Sequence, residues 1–297
     1  MSKPGQKLYL IDGTAFCYRA YYAIRALSNS KGEPTNAIYG FIKMLGKLRA
    51  LLEPARMVVV WDGGLAAERL AALPDYKAQR APMPPALEPQ LDEIGEYLQA
   101  AGIASCCYQG VEADDWIATL ARHAVEADMT VVIASSDKDF MQLVSSHVGL
   151  FNPNDKSETV WGAEQVLAKA GVQPGQIVDW LSLVGDAVDN IPGVPGVGTK
   201  TAAELLRQFG SVEELFKRLH EVRSEKLRVA LQSAREIVQR NQHLIRLNDG
   251  LPGPGGLDDY SFQTPNRDQL CVLYARWGFK SMLAELGPVL ACQRELF

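Results

Sequence analysis

Short apolar runs separated by segments of helical periodicity constrain the fold of this chain most strongly. The runs Lys7–Ile11, Met57–Trp61 and Thr130–Ala134 are apolar almost throughout, and Ile103–Tyr108 and Val148–Phe151 are shorter strand candidates. Strands of this kind are buried on both faces, which is typical of a parallel sheet covered by helices. The pattern therefore predicts an α/β fold with a mainly parallel central sheet flanked by helices.

The strand signal ends near residue 160, and segments with helical spacing of apolar residues follow it. We therefore expect an α/β core over residues 1–160 and a helical region over residues 161–297. The predicted helices of that region are Ala163–Ala170, Gln176–Leu183, Thr199–Phe209, Val212–Leu219, Lys226–Gln239 and Arg267–Trp277.

Acidic residues follow the predicted strands at the ends that a parallel sheet brings to one edge, where ligands bind. Carboxylates without nearby histidine or cysteine suit Mg²⁺ or Mn²⁺, and two such ions about 4 Å apart can promote a phosphodiester displacement. One such acid alone is as well explained as a helix cap, but the whole set indicates a metal site. Its nine members are Asp12, Asp62, Glu112, Asp114, Asp115, Asp137, Asp139, Asp186 and Asp189.

The formal net charge of −5, from 35 acidic and 30 basic residues, is unusual for a protein that binds nucleic acid. Without the nine acids, however, 26 acidic residues stand against 30 basic ones. Residues 195–247 alone contain 10 basic and 6 acidic residues. The sequence thus predicts an anionic metal site beside a basic segment.

The glycine-rich run Gly193–Thr201 precedes a predicted helix. It fails the P-loop pattern because Thr199 stands where the lysine belongs and no strand precedes it. A helix-hairpin-helix turn fits better, since backbone N–H groups at the start of a helix can bind a phosphate without reading sequence; a plain glycine-rich connection is the alternative. The candidate contacts are Gly193, Gly196, Gly198, Lys200 and Thr201.

The stretch Leu73–Pro89 contains five prolines together with Tyr76, Lys77 and Arg80. Loops of this length are usually functional or disordered. A mobile segment with a ring and two cations could contact a single nucleic-acid strand, and a solvated loop is the alternative. In the helix predicted after the first strand, the tyrosine spacing is more typical of a core, and Arg19 is the exposed candidate for nucleic-acid contact.

The remaining features favour a cytoplasmic protein without a membrane partner. No apolar run approaches the roughly 18 residues that span a membrane, and the polar segment Met1–Lys7 lacks a signal-peptide pattern. The five cysteines form no C-x-x-C pair, so we expect reduced thiols.

Six runs resemble the 5′ nuclease (flap endonuclease) family, most closely the 5′–3′ exonuclease domain of bacterial DNA polymerase I. In chain order they are LYLIDGTAFCYRA, VVVWD, YKAQRAPMP, GVEADD, SSDKDFMQL and LVGDAVDNIPGVPGVGTKTA. The resemblance covers roughly residues 7–290. It implies a helical arch at about residues 69–90, a helix-hairpin-helix element at about 183–220, and metal-dependent cleavage of branched DNA near the base of a 5′ flap.

The resemblance also implies roles for individual residues. Lys77 is implied to reach the scissile phosphate, Tyr76 and Arg80 to contact the flap, and the Gly193–Thr201 turn to hold duplex DNA, with K⁺ as a bound cation. Glu68-Arg69 replaces the family's Phe-Arg, and Trp61 replaces a common Phe. The implied first metal cluster is Asp12, Asp62, Glu112, Asp114 and Asp115, and the second is Asp137, Asp139, Asp186 and Asp189.

Together these observations predict a monomeric two-metal 5′ nuclease that acts on DNA with a 5′ flap, a nick or a 5′ end. Lys77, Asp62, Asp114 and Asp186 are its expected catalytic residues. Since the chain ends at Phe297 without a polymerase region, we expect a stand-alone nuclease. Two alternatives stay open: a branched-DNA-binding module without catalysis, and a ribonuclease of the related PIN type.

Overall fold

A computed structural model describes residues 7–253 and 256–287. Residues 1–6, which concern the expected lack of a signal peptide, lie outside the described residues. Cys292, which concerns the expected reduced thiols, lies outside them as well. The strands of the main sheet are β1 (Lys7–Asp12), β2 (Arg56–Trp61), β3 (Ala104–Cys107), β4 (Thr130–Ala134), β5 (Val148–Phe151) and β6 (Val160–Trp161). Their order in the sheet is β3-β2-β1-β4-β5-β6.

The five predicted strands pair in parallel, and only the short β6 pairs antiparallel with β5. The prediction of a mainly parallel sheet flanked by helices is therefore confirmed. Alternate side chains of β1 pack into two different clusters of buried apolar residues, because successive strand residues point to opposite faces of the sheet. Leu8 and Leu10 pack on one side, and Tyr9 and Ile11 pack on the other.

The helices cover both faces of this sheet. The cluster around Tyr9 and Ile11 also contains residues of α1, α2, α4, α12 and α13, while the cluster around Leu8 and Leu10 contains residues of α5, α7, α8 and α11. In the first half of the chain the helices are α1 (Gly13–Ala23), α2 (Asn36–Leu52), α3 (Ala67–Ala72), α4 (Glu88–Ala100) and α5 (Ala113–Glu126). In the second half they are α6 (Ala163–Ala170), α7 (Ile177–Val184), α8 (Thr199–Phe209), α9 (Val212–Lys217), α10 (Glu225–Ser233), α11 (Arg235–Ile245), α12 (Arg267–Trp277) and α13 (Lys280–Leu286).

Two features of the second half differ from the sequence prediction. The single helix predicted over Lys226–Gln239 is wrong, because the chain breaks at Ala234 between α10 and α11. Leu231 of α10 and Val238 of α11, on either side of this break, are both buried. A small antiparallel hairpin of β7 (Gly185–Asp186) and β8 (Ile191–Pro192) was not predicted, since two-residue strands leave no periodic pattern.

Residues 73–87 of the predicted arch form turns between α3 and α4 instead of a helix. Prolines at 74, 82, 84 and 85 explain this, because proline lacks the N–H that continues a helix. The segment lies against the β7–β8 hairpin, where the backbone N–H of Lys77 donates to the carbonyl of Asp189 at 3.0 Å.

The expectation of reduced thiols holds for Cys17, Cys106 and Cys107, which are free. It is wrong for Cys271, which is disulfide-bonded. None of the helices within residues 7–253 and 256–287 has both the length and the apolar character needed to cross a membrane.

Candidate metal centre and nucleic-acid interface

The carboxyl ends of β1 and β2 place the first acids at one edge of the sheet. Asp12 ends β1 and caps α1, with Oδ1 accepting from the Ala15 N–H at 2.9 Å and Oδ2 from the Ser135 hydroxyl at 2.7 Å. Asp62 follows β2, is solvent-exposed, and accepts from the Ala113 N–H at 2.9 Å. Local hydrogen bonds thus orient both carboxylates before any ion binds.

A second group of acids gathers between β4 and the β7–β8 hairpin. One carboxylate oxygen from each of Asp139, Asp186 and Asp189 lies within 4.8 Å of the others. Among the described residues, the buried Oδ1 of Asp139 has no hydrogen-bond partner. A buried oxygen without a donor is costly unless a cation satisfies it, so this group fits a divalent ion. Asp137 lies beside it and accepts from the Asp139 N–H at 2.9 Å.

Glycines shape the hairpin that carries two of these acids. Gly185 has φ +80°, and a Cβ at Gly193 would lie 2.1 Å from the Val184 carbonyl oxygen, so the α7 end and β8 can meet only over glycine. Asp186 Oδ1 accepts from the Val188 N–H at 3.0 Å, which fixes the loop between the two strands. The sequence motif therefore sets the positions of the acids as well as the turn.

Arg69 is the buried counter-ion of the first group, and its side chain is only 4 % exposed. Its guanidinium donates to both oxygens of Asp115, at 2.8 and 2.6 Å, and lies 3.1 Å from Glu112. It also donates to the carbonyls of Leu244 and Arg246 in the helical region. Arg69 thus lies inside the protein, joining the α/β core to α11.

Three further cations contact the acids. Lys77 is buried against the Glu112 carboxylate, with its Nζ 3.9 Å from Asp189. Arg80 donates to Asp189 Oδ1 at 2.5 Å, and Lys138 donates to Asp186 Oδ2 at 2.7 Å. The predicted arch residues therefore lie on the acids themselves, and Lys138 is a contact that sequence reasoning missed.

The aromatic ring of the arch lies in the same place. The Tyr76 hydroxyl is buried 3.3 Å from Glu112 Oε2 and 3.4 Å from Asp189 Oδ2. Burial raises the pKa of Tyr76 above its usual value, so this hydroxyl stays protonated and donates.

Protonation of the acids follows their surroundings. Burial raises the pKa of Asp12 to about 7, and the charges of Asp62 and Asp137 add to this effect. The pKa values of Asp114, Asp137 and Asp139 are raised as well, first by loss of solvent and then by neighbouring carboxylates.

Glu112 is different, because its two cationic neighbours outweigh its burial. Burial alone would raise the pKa of Glu112, but Lys77 and Arg69 lower it overall. Asp12, Asp114 and Asp139, by contrast, have raised pKa values and form no ion pair among the described residues, and divalent ions can supply the missing positive charge.

The predicted phosphate-binding turn opens α8 as expected. Gly196 has φ +81°, a conformation that favours glycine, and Gly198 precedes the helix with an extended backbone. The first N–H groups of a helix have no acceptor within it, and Lys200 is exposed beside them while Thr201 is half-buried. The turn can therefore offer both backbone donors and a positive charge to an anion.

The first helix places its side chains differently from the sequence expectation. Arg19 is half-buried and donates to the Pro153 carbonyl at 2.8 Å. Tyr22 is instead 65 % exposed, and Tyr18 stacks on it with ring centroids 6.4 Å apart. An exposed ring is thus available on α1 that the helical spacing alone did not indicate.

A cavity of about 870 Å³ connects these features. It lies between the turn at residues 73–79, the β7–β8 hairpin and the start of α8. Lys138 and Asp186 line it together with Gly193 and Thr199. One acid of the second group and two residues of the glycine turn thus face one space, and a carboxylate cluster beside an anion-binding turn on a parallel α/β scaffold is compatible with a metal-dependent nuclease.

The chain belongs to the 5′–3′ exonuclease family. The family model described as "5'-3' exonuclease, N-terminal resolvase-like domain" matches residues 7–171, and "5'-3' exonuclease, C-terminal SAM fold" matches residues 172–268. The resemblance found in the sequence is therefore confirmed, and the family is one of metal-dependent nucleases.

Relatives and solved structures agree with this assignment. The chain is 39 % identical over 292 residues to the 5'-3' exonuclease of Aquifex aeolicus, covering 98 % of this chain and 99 % of that one. It is 40 % identical over 283 residues to DNA polymerase I of Bacillus caldotenax, covering 95 % of this chain but only 32 % of that protein. The chain therefore spans about a third of the polymerase relatives and nearly all of the exonuclease.

Two solved structures have the same fold. T5 5'-exonuclease with bound zinc ions matches with a TM-score of 0.67 and 25 % identity, over 82 % of this chain and 90 % of that one. The catalytic core of Rad2 in complex with DNA substrate matches with a TM-score of 0.65 and 16 % identity, over 95 % and 92 %, which shows the fold alone.

Removing the buried guanidinium should destabilise the protein strongly. We expect Arg69→Met to lower the free energy of unfolding by about 3–5 kcal/mol, because Asp115 is left as an unpaired buried charge. Arg122→Met is the matched control: Arg122 pairs with Glu126 at the surface, so its loss should cost about 1 kcal/mol or less. Urea denaturation measures both, and equal losses would contradict the assigned role.

The raised aspartate pKa values predict how metal binding depends on pH. A carboxyl whose pKa is higher in the folded state costs stability as pH rises from its unfolded value, 3.8, toward its folded value, about 7 for Asp12. Glu112, with a lowered pKa, loses its contribution only below about pH 4.5 and so does not vary between pH 5.5 and pH 8.

We therefore expect Mg²⁺ or Mn²⁺ to raise the melting temperature more at about pH 8 than at about pH 5.5, because the ions replace protons and offset repulsion. Thermal melts with and without the ion measure this shift. The Asp139→Asn variant should show a smaller shift at the higher pH. A shift of equal size at both pH values would count against a carboxylate metal centre.

Proposed function

We propose that this chain is a structure-specific 5′ nuclease that hydrolyses phosphodiester bonds of 5′-flap or nicked DNA by two-metal-ion catalysis, in replication and repair. The observation that carries the proposal is the Asp139, Asp186 and Asp189 group with its unpartnered buried oxygen. Asp186 of this group also lines the cavity that Gly193 and Thr199 of the glycine turn line. The relatives named 5'-3' exonuclease and DNA polymerase I support DNA as the substrate.

The proposed ions are Mg²⁺ or Mn²⁺, because every available donor is a carboxylate oxygen. Bound divalent ions supply Lewis acidity for both the attacking water and the leaving oxygen. Asp12, Asp62, Glu112 and Asp114 would hold the first ion. Asp115, the fifth predicted member of this cluster, would influence the first ion indirectly. Its two oxygens bind Arg69, and Arg69 also contacts Glu112. The second ion would be held by Asp137, Asp139, Asp186 and Asp189.

Lys77 is the proposed catalytic side chain of the arch. Its ammonium would stabilise the negative charge that develops on the scissile phosphate, as preorganised cations do. Lys77 pairs with Glu112 in this structure. It would give up that carboxylate when it binds the phosphate. Tyr76 and Arg80 would contact the displaced strand, while Asp62, Asp114 and Asp186 serve the reaction by holding ions.

The Gly193–Thr201 turn would bind the phosphates of duplex DNA, with K⁺ at the turn and Lys200 adding charge. Arg19 was predicted as a further contact, and in this proposal it reaches DNA after leaving the Pro153 carbonyl. The surplus of basic residues over 195–247 supports this placement of the duplex.

The organisation of the chain follows the same proposal. Residues 1–160 form the nuclease core with the arch at about 69–90, and residues 161–297 form the helical region with the helix-hairpin-helix element at about 183–220. The two family models meet between residues 171 and 172, which supports a division in this part of the chain. We further propose that the protein acts as a monomer in the bacterial cytoplasm.

Loss of single acids should abolish cleavage. We expect Asp186→Asn and Asp62→Ala to cut a 5′-flap DNA with Mg²⁺ at least about 100-fold more slowly, since a bound ion contributes several kcal/mol to the transition state. Asp128→Asn is the control and should cut normally. Asp128 is exposed in the turn before β4, at the opposite edge of the sheet. Gel-based single-turnover assays measure the rates.

The outcomes separate the alternatives. Normal cutting by both acid variants would rule out the metal assignment. Flap binding by the unaltered protein without any Mg²⁺-dependent product would favour the non-catalytic module. Faster cutting of an RNA flap than of the matched DNA flap would favour the PIN-like ribonuclease.

The turn makes its own prediction. We expect Lys200→Ala to weaken binding of nicked duplex DNA regardless of sequence and to reduce the slope of log Kd against log salt by about 1. Lys43→Ala changes an exposed lysine of α2 that lies over the Tyr39 ring, and it should leave both quantities unchanged. Fluorescence anisotropy at several salt concentrations with Ca²⁺ measures them, and an unchanged slope for Lys200→Ala would remove this lysine from the interface.

A further inference from the structure

The loop between β7 and β8 holds the arch at three places. The Asn190 side-chain amide donates to the Asp75 carbonyl at 2.8 Å. The Asp189 carbonyl accepts from the Lys77 backbone N–H at 3.0 Å, and the Asp189 carboxylate accepts from Arg80 at 2.5 Å. The β7–β8 hairpin thus carries two predicted metal ligands, and its loop also contacts the segment that contains Lys77.

These contacts respond differently to a cation. The Asp189 carboxylate is a member of the Asp139, Asp186 and Asp189 group, so an ion there competes with Arg80, Lys77 and the Tyr76 hydroxyl for its oxygens. The Asn190 amide is neutral and its acceptor is a backbone carbonyl. Its bond to Asp75 can therefore persist when the carboxylate contacts are lost.

The backbone on both sides of this bond is unusual. Asn190 and Lys77 both have φ +57°, in the left-handed region. Asparagine adopts this region readily, whereas a lysine there is held against a local energetic cost by its surroundings. The Asn190 to Asp75 bond, two residues before Lys77, is one of the interactions that can supply this restraint.

We propose that Asn190 is a positioning residue for Lys77, tying the arch to the β7–β8 hairpin so that the lysine stays within reach of the scissile phosphate. The inference rests on the proposed nuclease function. It assigns Asn190 no contact with DNA or metal, and its effect passes through Lys77 alone.

The test uses Asn190→Gly, which keeps the left-handed backbone accessible and removes only the amide. We expect the single-turnover rate on 5′-flap DNA with Mg²⁺ to fall about two- to tenfold, the range for one lost neutral hydrogen bond. The Kd for the same DNA, measured with Ca²⁺, should stay unchanged. A thermal melt of the Asn190→Gly protein, expected to give a melting temperature close to that of the unaltered protein, guards against a folding defect.

A double-mutant cycle distinguishes positioning from general damage. In a Lys77→Ala background, Asn190→Gly should cause no further loss of rate. Asp128→Gly introduces glycine at the same φ of +57° in the turn before β4 and should leave the rate unchanged. Trypsin should also cleave after Lys77 and Arg80 faster in the Asn190→Gly protein, with or without Ca²⁺, because the arch is less firmly held.

An unchanged rate for Asn190→Gly, or an equal loss in the Lys77→Ala background, would overturn the positioning role while leaving the nuclease function intact. Failure of the unaltered protein to cut the flap would instead refute the proposed function, and this inference with it. Unchanged trypsin cleavage would show that the Asn190 bond does not restrain the arch.

Discussion

Repulsion among the carboxylates that gather at one edge of the sheet is the constraint on which the rest of this structure depends. Charges of one sign at close range cannot all persist without compensation. The chain provides it in two ways: burial and mutual repulsion raise the pKa values of Asp12 and Asp139, and cations pair with other acids. The pairing cations are Arg69, Lys77, Arg80 and Lys138.

This compensation explains why the predicted arch lies on the acids. Prolines prevent residues 73–87 from forming a helix, and the unpaired acids attract the cations of that segment. Lys77 and Tyr76 are consequently buried, which is unusual for residues of a surface loop. In the proposed mechanism, metal ions and a phosphate would replace the contacts that stabilise this arrangement, which would link metal binding to the position of the arch through Glu112 and Asp189.

The sequence predicted the elements with strong local signals. The helices Ala163–Ala170 and Thr199–Phe209 and the strand Thr130–Ala134 match their predicted bounds, and alternation of apolar runs with helices was enough to place acids at strand ends. The pairing of charges was beyond sequence reasoning, because Arg69 contacts Asp115, 46 residues away, and the Leu244 carbonyl, 175 residues away. Such contacts depend on tertiary packing and leave no periodic pattern.

The adjacent acids Asp114 and Asp115 show why composition alone cannot assign roles. Consecutive residues of a helix point about 100° apart, so the two carboxylates face different surroundings. Burial, and then the charges of Asp137 and Asp12, raise the pKa of Asp114, whereas both oxygens of Asp115 bond Arg69. Because Arg69 also contacts Glu112 and two carbonyls at the carboxyl end of α11, Asp115 helps to fix the positions of Glu112 and of the helical region together. Asp115 can thus contribute to the proposed metal centre by fixing the residues around it.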